Sequence, residues 1–143
     1  MKASRDYTVA YSSGRKNAGT YKVKVKLTGN YSGSKTVSFK INKATNPAKI
    51  SKATKTIKYS KVKKKAQTVA PLKVTKNQGA VTYKKISVNK KSANFKVNSK
   101  TGKITVKKGT PKGTYNIKVK VTAKGNKNYK SRSKTVTVKI VVK

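Results

Sequence analysis

The decapeptide GTYKVKVKLT at residues 19–28 returns at residues 113–122 as GTYNIKVKVT. Each copy runs on through an Asn-Tyr pair, Asn30-Tyr31 or Asn128-Tyr129, and each closes on Ser-Lys-Thr-Val and a second alternating stretch, residues 34–41 or 133–140. A match of that length with matching turns marks two related modules in tandem, each ending in the same hairpin. Within 20–28, Tyr21, Val23, Val25 and Leu27 alternate with Lys22, Lys24 and Lys26. That period of two is the signature of a strand with one apolar and one solvated face. In 114–122 the inward set is Tyr115, Ile117, Val119 and Val121, with Lys118 and Lys120 outward. Val37, Phe39 and Ile41 point inward from 35–42 with Lys40 outward, and Val136, Val138, Ile140 and Val142 point inward from 134–142 with Lys139 outward.

Outward from these hairpins, shorter strands are predicted at 7–11, 54–59, 66–70, 80–88, 94–97 and 103–107. The stretch 95–106 reads as a further hairpin turning at Asn98–Gly102, and residues 109–113 supply another turn. No segment carries a helical stripe. Asn46-Pro47 favours an extended or turn conformation over a continued strand. The expected organisation is therefore a partial β module at 1–43, a junction at 44–47, and a complete module at 48–143. About 40 residues are marginal for a self-standing core, so the first module is expected to be the C-terminal part of a repeat or to pack on a neighbour. Antiparallel strands with one apolar face pack as two sheets with those faces inward, so the fold class is all-β, an immunoglobulin-like antiparallel β-sandwich.

Thirty-nine of the 143 residues are Lys or Arg against one acidic side chain, Asp6, for a formal charge of +38. Such charge at low hydrophobicity is the composition of a disordered chain, but the ordered alternation of the apolar residues opposes that reading. Only Arg5, Arg15 and Arg132 are arginine. Lysine is a mobile, hydrated point charge that suits diffuse anionic polymers better than bidentate recognition of one geometry. Cys and His are absent, so neither a disulfide framework nor a usual transition-metal site is available. No apolar run reaches membrane-spanning length, and Met1-Lys2 begins no signal peptide. The segment is expected to be a monomeric part of a longer chain whose export and anchoring signals lie outside it.

Catalysis is disfavoured by elimination. Acid–base chemistry draws on His, Glu, Asp, Cys, Lys or Tyr with tuned pKa values, and here the first four reduce to Asp6. There is no carboxylate pair, no triad and no acidic cluster for a divalent cation. Asp6 itself reads as a turn or capping acceptor. The sequence points to no enzyme, no cofactor, no metal and no small-molecule substrate.

Charge is the remaining signal. Lysines two apart on a strand are separated by about 6.8 Å and neighbouring strands by about 4.8 Å, so the outer faces are expected to form a grid of ammonium groups. Like charges opposite one another destabilise a sheet, and bound anions would relieve them. Polyanions displace many counterions at once, which favours binding at low salt. The candidate contact residues are Lys22, Lys24, Lys26, Lys40, Lys118, Lys120 and Lys139, with the charged loop Lys61, Lys63, Lys64 and Lys65. Taken singly, each of these also reads as a solubility-promoting surface residue. Tyrosines such as Tyr21 and Tyr115 read as core, and Tyr31 and Tyr129 as turn packing, rather than as stacking platforms. Glycosaminoglycans, extracellular nucleic acid, teichoic acids and anionic membrane surfaces are all suitable partners.

Segment 7–43, with its Asn-Ala-Gly-Thr-Tyr and Gly-Asn-Tyr-Ser-Gly turns and Phe-Lys-Ile-Asn ending, resembles the tail of tandem bacterial immunoglobulin-like repeats. Segment 80–142, with Phe95-Lys-Val-Asn, Thr-Gly-Lys-Ile-Thr-Val and Gly113-Thr-Tyr, resembles a cadherin-like or immunoglobulin domain of bacterial surface proteins. The resemblance implies an extracellular, cell-surface repeat, acting as a polyanion-binding module or as a stalk lying against its own anionic wall. It also implies a place for calcium at domain junctions, but the corresponding turns here carry Lys, Asn, Ser and Thr instead of carboxylates. A Lys–Asn or Lys–Asp cross-link, known in some bacterial surface domains, would need an assisting acid, and no second carboxylate side chain exists beside Asp6.

Overall fold

The computed structural model describes residues 5–90 and 94–143. The chain divides into two units, Met1–Ala44 and Thr45–Lys143.

In the first unit β1 (Tyr7–Tyr11), β2 (Gly19–Leu27) and β3 (Ser34–Ile41) form one antiparallel sheet in the order β1-β2-β3. The register sets Val23 across from both Tyr11 and Val37, and Tyr21 across from Phe39. With a side-chain period of two, that register gathers Val9, Tyr11, Tyr21, Val25, Leu27, Val37 and Phe39 on one face. Lys35, opposite Val25, is a cation on the same face. The alternation thus sorts the residues as expected, but the expected burial fails. Val37 is 48% exposed and Phe39 36%, and β1 adds Val9 at 40% and Tyr11 at 55%. Alternation says which side chains share a face; it does not say that a second layer covers them.

The second unit has that second layer. It contains β4 (Lys49–Lys52), β5 (Lys55–Ile57), α1 (Tyr59–Lys64), β6 (Gln67–Val69), β7 (Leu72–Thr75), β8 (Val81–Val88), β9 (Phe95–Val97), β10 (Ile104–Val106), β11 (Gly113–Ala123) and β12 (Arg132–Val142). These make a four-stranded sheet β5-β12-β11-β8, a three-stranded sheet β6-β10-β9, and a two-stranded ladder β4-β7. The inward residues of β11 and β12 (Tyr115, Ile117, Val119, Val121, Val136, Val138, Ile140 and Val142) are all buried. They form one cluster with Phe95, Ile104 and Val106 of the facing sheet, Ile57 and Val62. Each such side chain contributes about 1.5–3 kcal/mol of transfer free energy. The result is an all-β sandwich of the immunoglobulin-like kind.

The duplicated hairpin folds alike in both units. The Tyr115 hydroxyl donates to the Pro111 carbonyl at 2.9 Å. Its counterpart Tyr21 lies 2.9 Å from the Asn17 carbonyl, also four residues back, and 2.7 Å from that of Gly14. Its single proton serves one of the two at a time. The registers differ, however. Val23 pairs with Val37, whereas its counterpart Ile117 pairs with Val138, the counterpart of Phe39. The connection in the second unit, residues 124–131, is longer than residues 28–33 in the first. A shift of two residues leaves every side chain on its original face, which is why the alternation survives it.

Four features depart from the sequence reading. Strands β4 and β7 fall where none was predicted. Residues 59–64 form a short helix rather than the end of a strand and a loop. Strand β5 runs parallel to β12, pairing Ile57 with Val142. Asn46, assigned to a junction, is fully buried. Its amide donates to the Gln78 carbonyl at 2.8 Å, and its side-chain oxygen accepts from the Gln78 and Ala48 N–H groups at 3.1 and 3.2 Å. An Asn that satisfies three backbone groups at once is a structural pin of the second unit.

Candidate polyanion-facing surface

The eleven lysines singled out from the sequence are all exposed, and the structure places them in four groups. Lys22, Lys24 and Lys26 stand in one row along the outer face of β2. Their cross-strand neighbours on β3 are Ser38, Thr36 and Ser34. On β1 the neighbours of Lys24 and Lys26 are Ala10 and Thr8. Lys40 lies across from Thr20. The expected grid of facing ammonium groups is therefore not what forms in the first unit. One lysine row is flanked by small and hydroxyl-bearing residues, so the like-charge contact that destabilises a sheet is avoided while the charge is retained.

The second unit repeats the device with one exception. Lys118 and Lys120 on β11 lie across from Thr137 and Thr135 on β12, and Lys139 lies across from Asn116. On the other side Lys118 faces Ser87, but Lys120 faces Lys84. Lys139 lines a cleft of about 330 Å³ with Lys52, Thr54, Asn116 and Thr137. The Lys52 ammonium donates to the Thr137 carbonyl at 2.9 Å, which anchors that cation over the sheet and leaves donors free.

Lys61, Lys63 and Lys64 lie on α1, and Lys65 follows at its C-terminal cap; they do not form the loop expected. The cause is Val62, fully buried beneath the helix. A helix of under two turns shows only one inward side chain, so it leaves no stripe to read. Cations in the last turn also suit the carbonyl-rich end. The Lys61 and Lys65 carbonyls further accept from the Gln67 amide at 3.4 and 3.2 Å. Lys63 shares a shallow concavity with Lys58, Tyr59, Lys112 and Lys143. There the Lys112 ammonium stands 6.0 Å from the Tyr59 ring centroid. Lys52, Lys58, Lys84, Lys112 and Lys143 are the members that sequence reasoning missed. They lie outside the long alternating strands or join them only through cross-strand pairing and folding.

Asp6 is buried and its carboxylate accepts from Arg5 Nε at 3.0 Å. Among the described residues no three His, Cys, Asp or Glu side chains come together. Calcium takes roughly six to eight oxygen ligands, mostly from carboxylates, so the residues present do not fit a cadherin-type calcium site. No helix among the described residues is long and apolar enough to cross a membrane.

The chain is similar in fold to cadherin extracellular domains. Against a solved structure of protocadherin gamma B2 extracellular cadherin domains 3–6 the TM-score is 0.56 at 10% identity, over 96% of this chain and 38% of that one. Against protocadherin gamma B7 domains 3–6, solved as a cis-dimer, it is 0.55 at 12% identity, over 97% and 39%. Against human protocadherin-24 domains 1–2 it is 0.52 at 13% identity, over 98% and 83%. This chain thus spans less than two-fifths of the length of the first two. No protein-family model and no curated protein matches the chain. At these identities the likeness establishes the all-β, sandwich-type fold and nothing finer.

Proposed function

We propose that this chain is a non-catalytic, extracellular repeat module of a bacterial surface protein, and that its outer sheet faces bind anionic polymers through diffuse lysine electrostatics. The observation that carries the proposal is the segregation of charge. In both copies of the hairpin the lysines of β2 and β11 line the outer face in single rows, flanked mainly by Ser and Thr. Ammonium and hydroxyl donors side by side suit sulfate and phosphate oxygens, and the spacing along a row, about 6.8 Å, lets one polymer engage several cations at once. Glycosaminoglycans, extracellular nucleic acid, teichoic acids and anionic membrane surfaces share that chemistry.

The test is binding of the intact chain to heparin, duplex DNA and teichoic acid across a salt titration. Binding to all three, with affinity falling steeply as salt rises, is the expected result. Replacing Lys118, Lys120 and Lys139 together by Gln should flatten the salt slope by about three contacts' worth, while any one replacement changes little. Negligible binding near physiological salt would overturn the proposal.

A second reading, a stalk or spacer repeat lying against its own anionic wall, has the fold likeness in its favour, since the similar solved structures are of extracellular cadherin domains in series. The two readings part on the ligand: a stalk binds the wall polymer of the producing cell in preference to heparin and DNA.

A further inference from the structure

In the second unit the outer face of the β11–β12 hairpin is not an open plane throughout. The register sets Lys139 across from Asn116, and Thr137 lies two residues before Lys139, hence on the same face. The end of β4 and its link to β5, residues 52–54, form a wall beside that corner and complete the cleft of about 330 Å³. The wall is held from within the protein. The Ala53 N–H donates to the Pro71 carbonyl at 2.8 Å, and the Lys52 ammonium donates to the Thr137 carbonyl at 2.9 Å. The cleft is therefore built before any ligand arrives, and Lys52 keeps two further donors for it.

Charge identifies half of what the cleft takes. Between β11 and β12 no lysine lies across from another, but the wall brings Lys52 and Lys139 to one concavity. Asp6, the one acidic side chain of the sequence, belongs to the first unit and accepts there from Arg5. The second unit has no carboxylate side chain to set between these two ammonium groups. A cleft lined by one sign of charge concentrates counter-ions, so an anion from solution fits there.

The neutral lining identifies the other half. The Thr54 and Thr137 hydroxyls and the Asn116 amide each offer both a donor and an acceptor, which is what sugar hydroxyls need. A nucleic-acid base would call for an aromatic platform, and no aromatic side chain is among the described residues that line the cleft. Its volume stands at the lower end of small-molecule sites, which run from about 300 to 1,000 Å³. That is room for one sugar ring with its ester group rather than for an oligosaccharide.

We propose that the Lys52–Lys139 cleft binds a single sugar unit carrying a sulfate or phosphate ester. The ester oxygens lie between the two ammonium groups, and the sugar hydroxyls bond Thr54, Thr137 and Asn116. The inference rests on the polyanion reading of the outer face and gives that reading a defined ligand unit. Lys118, across from Thr137, begins the row along which the rest of a polymer runs.

The experiment is a titration of the full, isotope-labelled chain at physiological salt, followed by amide shifts. The probes are a sulfated heparin disaccharide, its desulfated form, glucose 6-phosphate and inorganic sulfate. The expected result is saturable binding of a sugar ester, with shifts concentrated at residues 52–54, 116 and 137–139. Whichever ester binds more tightly names the source. Lys52→Gln and Lys139→Gln should each weaken that binding about tenfold or more, since each removes a charged hydrogen-bond donor. Lys100→Gln, the same charge change at the exposed β9–β10 turn, should leave it unaltered. Thr54→Val should weaken the sugar ester several-fold and leave inorganic sulfate unaffected. Equal binding of the desulfated disaccharide, or of inorganic sulfate, would overturn the assignment, as would equal losses in Lys100→Gln. Heparin titrated alongside separates this inference from the broader one. Heparin bound with neither sugar ester bound overturns the cleft alone, and no binding of any of them overturns both.

Discussion

The β2–β3 and β11–β12 hairpins are nearly the same sequence in two situations. In both, one face is apolar apart from a lysine near the start of the second strand, Lys35 or Lys134, and the alternate face is mainly polar and lysine-bearing. In the second unit the apolar face is shut beneath a second sheet, with Ile117, Val119 and Val138 fully buried. In the first unit Phe39, the counterpart of Val138, and Val37, the counterpart of Val136, remain open to solvent, while Val23 and Val25, the counterparts of Ile117 and Val119, are half-buried. The lesson is that a strand's pattern encodes a capacity to be buried, while burial itself depends on what else lies against it. Stability should follow coverage, not sequence, and substitutions at matched positions can test that.

The largest difference is expected from a charge placed at the matched pair. Val138→Lys puts an unpaired ammonium into the centre of the core, and the second unit should lose more than about 4 kcal/mol or fail to fold. Phe39→Lys places the same charge on an exposed face and should leave the melting of the second unit within about 0.5 kcal/mol of the parent chain. Circular dichroism melts of both variants decide it. Equal damage from the two would mean that the first-unit face is covered after all.

A milder cut uses alanine. Ile117→Ala should cost about 2–5 kcal/mol in denaturant unfolding, because it removes buried methyl groups and leaves a cavity. Val23→Ala, at the half-buried counterpart, should cost about 1 kcal/mol or less. If the two values converge, coverage is not what separates the units.

Much of this was legible in the residues. The four long strands and their faces follow from alternation, since a period of two over eight residues has few rival readings. The 95–106 hairpin was legible through its turn: the Asn98 side chain accepts from the Lys100 and Thr101 N–H groups at 2.9 Å, and Gly102 takes φ +68°. Strand β4 was not legible, because Lys49-Ile-Ser-Lys52 offers a single apolar residue and no period. Asn46 was not, because its partner Gln78 lies 32 positions away in the sequence. The lysines of the candidate surface were legible as outward-facing. What lies across from them was not, since register depends on connection length, and that differs between the two hairpins.

A glycine pair sharpens the comparison at the backbone level. A Cβ on Gly79 would sit 1.8 Å from the Gly125 carbonyl oxygen, and its φ is +79°. Gly79→Ala must therefore displace one backbone segment from another and should cost about 2–3 kcal/mol. Gly33 in the first unit also has a positive φ, +113°, but a Cβ there meets nothing within 4 Å. Gly33→Ala should cost only the conformational penalty, about 1 kcal/mol. Melting both alanine variants beside the parent tests whether close packing, beyond the dihedral alone, distinguishes the second unit.

The smallest effect belongs to Tyr83, which shows what a cover does to a titrating group. It lies on β8 across from Val121 of β11, on the inner face, with its ring against Gly102 in the turn between β9 and β10. Burial pushes its phenol above the ordinary value of 10.0, since the phenolate is disfavoured out of water. The folded state then holds that proton more tightly than the unfolded chain does. The stabilisation is complete below the unfolded value and is lost as pH rises through the folded one. The informative quantity is the difference between the parent chain and Tyr83→Phe. The parent should lose stability relative to the variant above about pH 10, and its phenolate absorbance should show a late component that the variant lacks. If the late component persists in Tyr83→Phe, the covered rim of the second unit does not hold this group away from water, and the contrast with the open first unit is weaker there than the strands suggest.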